Sequence, residues 1–174
     1  MKKILLHICC GVCALSSIDR LKEEGYSVEG LFYNPNIQPH SEYFKRKQTA
    51  IAAAQAKNIR ITEGEYNNSD WLKICGLYAE EKEGGRRCLL CYKMRLKETF
   101  SFFVKNNFDY FTTTLTISPH KNSQIIIDLG KKIGGDKFLC LDFKKKEGFK
   151  RTIEEAKNLD LYRQNYCGCG YSKK

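Results

Sequence analysis

A short apolar run, Lys3 to Ile8, passes straight into Cys9-Cys10-Gly11-Val12-Cys13, and this junction limits the folds open to the chain. A run of that length suits a strand buried on both faces. The apolar spacing then changes, with Leu15, Ile18 and Leu21 recurring at helical intervals up to Gly25. A strand that turns directly into a helix opens a βα unit. The clustered thiols fall at the turn, where a helix N-terminus favours anions and lowers thiol pKa.

The same alternation continues. Ser27 to Tyr33 reads as a second strand, ending in Asn34-Pro35-Asn36, which is turn chemistry. Ser41 is the expected N-cap of a helix to about Lys57, with Phe44, Ile51 and Ala54 on its apolar face. Ile59 to Thr62 is a short third strand. Residues 67 to 83 read as helical, with Trp71, Ile74, Leu77 and Tyr78 inward, and another helix is marked by Leu96, Phe100 and Phe103. Tyr110 to Thr116 and Lys137 to Leu141 read as strands, with a helix through Ile126, Leu129 and Ile133 between them and a last helix over Thr152 to Leu159. This order predicts a three-layer α/β fold with a mainly parallel sheet. It also predicts one domain over residues 1–174, with a helical insertion around 64–106.

No apolar run reaches the length of a membrane helix. The opening stretch lacks a small-residue cleavage site, so it is read as a strand and not as a leader, and the expected location is the cytoplasm. Nine cysteines are many for such a protein, and disulfide staples belong to oxidising compartments. Metal ligation or redox chemistry is the better use. The formal charge is +10, from 30 Lys and Arg against 20 Asp and Glu, which suits a polyanionic partner such as nucleic acid or simply a lysine-rich surface.

Cys88-Leu89-Leu90-Cys91 is a CxxC flanked by Arg86 and Arg87 before it and by Lys93 and Arg95 after it. With Cys9 and Cys10 it offers four thiolates, which satisfy tetrahedral zinc or a [4Fe–4S] cluster equally well. Cys167-Gly168-Cys169 is a tight dithiol that suits a redox relay, extra ligation or a structural role. Cys75 and Cys140 have no partner pattern and read as core. His7 alternates onto the same strand face as Cys9, as a proton source or as a satisfied buried histidine. Tyr33, Asn34 and Asn36 end one strand at the expected ligand edge, and Ser118 and Lys121 end another near a helix start suited to phosphate. Lys144 to Lys146, Lys150 and Arg151, interleaved with Phe143 and Phe149, would suit nucleic-acid contact and stacking. The loop that ATP pyrophosphatases of the nucleotide alpha-hydrolase fold carry after the first strand is replaced here by Cys-Cys-Gly-Val-Cys.

Six ordered blocks resemble the epoxyqueuosine reductases of the QueH type. They are His7 to Cys13; Tyr33 to Pro39; Gly85 to Cys88 with Cys91 and Met94-Arg95-Leu96; Phe111 to Leu115 with Ser118 to Lys121; Asp142 to Lys145; and Leu161 to Cys169. The resemblance implies an adenine nucleotide alpha-hydrolase-like fold. It implies reduction of epoxyqueuosine to queuosine at the wobble position of tRNA with a GUN anticodon, the last step of queuosine synthesis. The oxygen leaves as water. It implies a [4Fe–4S] cluster on Cys9, Cys10, Cys88 and Cys91, and a redox-active pair, Cys167 and Cys169, able to form a disulfide. Cys13 is then the candidate ligand of one adjacent iron. Tyr33, Asn34, Asn36, Arg86, Arg87, Ser118 and Lys121 are the candidate substrate contacts. Cobalamin, ATP and a membrane play no part in that expectation, and an electron donor of unnamed identity does. Two other readings are a tRNA thiolase, which requires the missing ATP loop, and a zinc-stapled RNA-binding module, which leaves the terminal dithiol unexplained.

Overall fold

The computed structural model describes residues 1–173. Its centre is a four-stranded parallel sheet in the order β3-β2-β1-β4. Strand β1 (Lys3–His7) lies between β2 (Ser27–Phe32), with His7 opposite Leu31, and β4 (Tyr110–Thr113), with His7 opposite Thr113. Strand β3 (Arg60–Glu63) pairs with β2 at the far edge. The chain moves one way from β1 to β2 and β3, then returns to place β4 on the other side of β1. The crevice beyond the carboxyl ends of β1 and β4 is therefore the topological switch point, where such sheets hold ligands.

Alternation in β1 explains its central place. Ile4, Leu6 and the following Ile8 enter one core with Ala14, Ile18, Leu21, Phe32 and Tyr43. Leu5 enters the opposite core with Leu31, Leu96, Phe103, Phe111 and Phe138. Helices α1 (Gly11–Glu23), α2 (His40–Ala56) and α6 (Gly148–Asn158) cover the first face, with α1 packed on both others. Helices α4 (Arg86–Lys105) and α5 (Ser123–Gly134) pack together over the second, and α3 (Asn68–Cys75) leans on α4.

Several expectations are corrected. Pro39, not Ser41, precedes α2, and that helix turns Tyr43, Arg46, Ala50 and Ala53 inward and leaves Phe44 exposed. The small alanines allow close packing against α1, which a face carrying Phe44 would not. Helix α3 stops at Cys75, and Ile74 and Leu77 face outward while Trp71 and Cys75 are buried. The helix marked by Leu96, Phe100 and Phe103 begins as early as Arg86, so the CxxC lies inside α4. Residues after Thr113 form a 3-10 turn, Thr114–Ile117, in place of further strand. The segment expected as a last strand makes only an isolated bridge, Phe111 to Phe138. Without a ladder it leaves Cys140 exposed rather than in the core.

Candidate active site

Both cysteine groups sit at helix N-termini. Cys10 caps α1, its sulfur accepting the Cys13 backbone N–H at 3.2 Å. The sulfurs of Cys9, Cys10 and Cys13 lie within 4.8 Å of one another, a ready set of three metal ligands. Cys88 and Cys91 lie three apart in the first turns of α4 and share one helix face. Both are buried. Two helix dipoles therefore favour thiolate at the two groups.

The trio shares its protons unevenly. Hydrogen bonds from Cys10 and Cys13, aided by Arg95 and Lys121, hold the Cys9 thiol well below its ordinary value against the opposing effect of burial. The Cys13 hydrogen bond favours the Cys10 thiolate, but Cys9 and burial outweigh it and push Cys10 up to about 12, while hydrogen bonding to Cys10 and then to Cys9, with burial, pushes Cys13 well up. A metal ion occupying the trio would displace the remaining protons. Burial also raises Cys88 and Cys91, opposed at Cys88 by the Gly84 N–H and at Cys91 by Arg95 and the Trp71 indole.

A cleft of about 610 Å³ opens at the switch point, lined by Cys9, Cys13, Arg46, Arg95, Lys121 and Cys167. Ser118, His120, Phe149 and Arg163 are also among its lining residues. Arg95 is buried at its base, and burial alone would weaken its charge. Cys91, Cys9 and Cys167 around it strengthen that charge instead. Lys121 behaves in the same way, lowered by burial and raised further by Cys167 and Cys9. Lys144 donates to the carbonyls of Ser118 (3.2 Å) and Lys121 (2.7 Å), so it braces this loop. Phe143 is buried beneath Arg20 and is not free to stack on a base, whereas Phe149 does line the cleft.

The tail reaches the cleft through a strap that the sequence did not announce. Buried Arg46 pairs with Glu42 at 2.7 Å and donates to the carbonyls of Cys167 (3.0 Å) and Tyr166 (3.1 Å). The Tyr162 hydroxyl donates to Glu42 at 2.9 Å. Gln38 closes the other side, its N–H on the Gly168 carbonyl at 2.8 Å and its side-chain oxygen on the Gly170 N–H at 3.0 Å. Gly168 has φ +121°, and a Cβ there would stand 2.9 Å from an Arg46 nitrogen, so glycine is required on both counts. All nine cysteines are free thiols, so Cys167 and Cys169 are not joined in this structure.

The remaining candidates sit behind the cleft wall. Asn34 is buried, donating to the Ile8 carbonyl at 2.9 Å and accepting from Arg95 at 2.6 Å. Tyr33 packs in the α4-side core, and burial raises its phenol to about 12. Asn36 is buried beside Gly168 with its side-chain oxygen unpartnered. Arg87 is buried and donates to the carbonyls of Tyr78 (3.0 Å), Ala79 (2.8 Å) and Glu81 (2.6 Å), while exposed Arg86 lies over Tyr78. His7 is fully satisfied: its Nε2 donates to the Tyr33 carbonyl at 3.0 Å, so Nδ1 accepts from the Thr113 hydroxyl at 2.8 Å. Burial and Arg95 lower it to about 3, so the ring stays neutral at physiological pH.

Fold and site together define a three-layer α/β domain with a thiol-lined cleft at the switch point of its parallel sheet. The U34-tRNA thiolase NcsA of Methanococcus maripaludis, solved with its [4Fe–4S] cluster, superposes with a TM-score of 0.61 over 99% of this chain and 62% of its own, at 15% identity. A predicted tRNA methyltransferase subunit of Methanocaldococcus jannaschii gives 0.57 over 88% of this chain and 75% of its own, at 14% identity. Sequence relationship is more specific. The model of the family described as epoxyqueuosine reductase QueH matches residues 4–174. The epoxyqueuosine reductase QueH of Streptococcus pyogenes is 38% identical across 98% of this chain and 70% of its own length. That of Thermotoga maritima is 35% identical across 99% and 91%. The chain belongs to the epoxyqueuosine reductase QueH family, oxidoreductases of tRNA modification.

Proposed function

We propose that this protein reduces epoxyqueuosine to queuosine at the wobble position of tRNA bearing a GUN anticodon. Its work would be cytoplasmic. The whole chain would act as one reductase domain, in which the helical segment around 64–106 supplies Cys88 and Cys91. Cys9, Cys10, Cys88 and Cys91 would hold a [4Fe–4S] cluster, and Cys13 one adjacent iron.

A pattern of hydrogen bonds supports this assignment above all. Each of the four sulfurs has a donor: the Thr114 hydroxyl on Cys9, the Cys13 N–H on Cys10 and the Gly84 N–H on Cys88, all at 3.2 Å, and Arg95 at 4.0 Å from Cys91. Among the described residues the sulfurs of Cys75, Cys167 and Cys169 accept none, and neither does that of Cys13, the candidate ligand of the adjacent iron. Donors aimed at sulfur favour the ligating thiolate over the thiol.

Bound there, the cluster would supply electrons one at a time. Removing the epoxide oxygen as water takes two electrons and two protons. Closing Cys167 and Cys169 to a disulfide releases that number of each, and the outside donor would then reduce the disulfide. Cys167 faces the cleft, and Arg95 and Lys121 supply fixed positive charge to the departing oxygen or to a neighbouring phosphate. The cleft has the size of a small-molecule site, so the target nucleotide would have to leave the loop stack to enter it. Chain charge of +10 suits the tRNA backbone.

Oxygen-free purification tests the reading. The expected protein is brown, carries iron in about four- to fivefold excess over chain on this ligand count, and converts epoxyqueuosine-tRNA when given a reductant. A colourless, zinc-loaded protein that folds normally and leaves that tRNA unchanged would defeat it.

A further inference from the structure

The Cys91 sulfur is served differently from the others. Trp71, the single tryptophan of the chain, is completely buried and packs in one cluster with Cys75, Cys91 and Cys169. Its indole Nε1 has no hydrogen-bond partner. Arg95 is also buried, with one terminal nitrogen spent on Asn34 at 2.6 Å, the other 4.0 Å from the Cys91 sulfur, and Nε unpartnered. Buried donors are rarely left orphaned. Both flank the Cys91 sulfur, Trp71 within the same buried cluster and Arg95 at 4.0 Å, and each keeps an unspent N–H.

We infer that Trp71 and Arg95 are positioning residues for the Cys91 ligand, whose thiolate takes up their spare N–H groups and thereby sets the cluster's reduction potential. The inference rests on the cluster proposed above. Donors to a ligating sulfur draw charge out of the metal core and ease the arrival of an electron, so losing them drives the potential down. Trp71 has a second contact that gives this position meaning. Its ring stacks on Tyr171 at 6.2 Å and 23°, and the Arg87 guanidinium lies over the other partner of that stack, so the tail carrying Cys169 rests on the same indole.

Because Trp71 is the only tryptophan, growth of a tryptophan auxotroph on β-(3-benzothienyl)alanine replaces one N–H in the whole protein by sulfur, with the ring shape kept. Redox titration of the iron-loaded protein, followed by visible absorption and electron paramagnetic resonance, is the readout. Iron content and spectrum should match the parent while the midpoint moves to more negative potential. Trp71→Phe should move it the same way, and Arg95→Lys should move it less than Arg95→Met. Indole emission in the parent should be quenched by the cluster and recover when iron is removed. Unchanged potentials in iron-loaded Trp71→Phe and benzothienyl protein would overturn the inference and leave the cluster reading intact, as would unquenched emission. A protein that binds no iron fails the earlier reading and takes this inference with it.

Discussion

The cysteines at the two ends of the chain are held in different ways. Cys9, Cys10 and Cys13 are placed by the fold itself: a strand buried on both faces stops, a helix starts, and three sulfurs fall within 4.8 Å. Cys167 and Cys169 lie outside any regular element except the 3-10 turn that follows them at Gly170–Ser172. They are placed by side chains reaching from α2 and from the Gln38 loop. Backbone geometry makes a rigid ligand set, whereas a strap of hydrogen bonds makes a dithiol that can change state. That is the division of labour expected if one group holds metal and the other turns over.

Cys88→Ala removes a proposed partner of the fixed group and should have the largest effect. Cys88 is one of the four proposed ligands, held in the first turn of α4 with the Gly84 N–H on its sulfur. Iron and colour should be lost along with turnover. Retained colour would mean that Cys88 is not a ligand. Cys167→Ala tests the other end. Iron content and absorption should survive while turnover with the physiological reductant disappears. Iron loss in that variant would place the tail among the ligands and erase the contrast.

Arg46→Met sharpens the same contrast without touching a thiol. It leaves Glu42 buried beside Tyr162 and frees the carbonyls of Tyr166 and Cys167. Removing one partner of a buried pair costs roughly 3 kcal/mol, and a dithiol displaced by about 1 Å should slow turnover on the order of 10²-fold. Iron content should not change. Thermal unfolding, iron analysis and kcat together check it, and normal kcat would mean that the tail is held by Gln38 alone.

The first thiol group was legible because it combines two local signals, a buried strand and a change to helical spacing around Cys9 to Cys13. Period and β-branching also located the sheet, including β4 at Tyr110. The strap was not legible. Arg46 lies amid Phe44, Lys45 and Lys47, where period alone reads a solvated turn, and its partners are 120 and 121 positions away. Burial of Arg46 depends on Glu42 one turn earlier, so an i,i+4 charge pair that usually marks surface here faces the core. The expected inward face of α2 is right at Ala54 and wrong at Phe44, which is exposed while Arg46 is buried. Trp71 was correctly expected inside, but its orphan N–H shows only once Cys91 is seen next to it. The Lys137 to Leu141 strand failed because β-propensity needs a partner edge, and β4 offers a single bridge.

The smallest expected effect lies at His7, buried in β1 two residues before Cys9. Its neutral ring joins β1 to β2 through the Tyr33 carbonyl and to β4 through Thr113. Burial lowers its pKa to about 3 in the folded protein, against about 6.5 in an unfolded chain. Between those values the unfolded state binds the extra proton, so stability is full above about pH 6.5 and falls as the pH drops toward 3. The slope contributed by this one residue approaches 1.4 kcal/mol per pH unit at most. His7→Gln keeps a donor for the Tyr33 carbonyl and cannot titrate. Compared with the parent in the same metal state, its denaturant midpoint should be lower at neutral pH yet fall less steeply on acidification. Parallel pH profiles for the two proteins would mean that the His7 ring can take up a proton without leaving the strand junction.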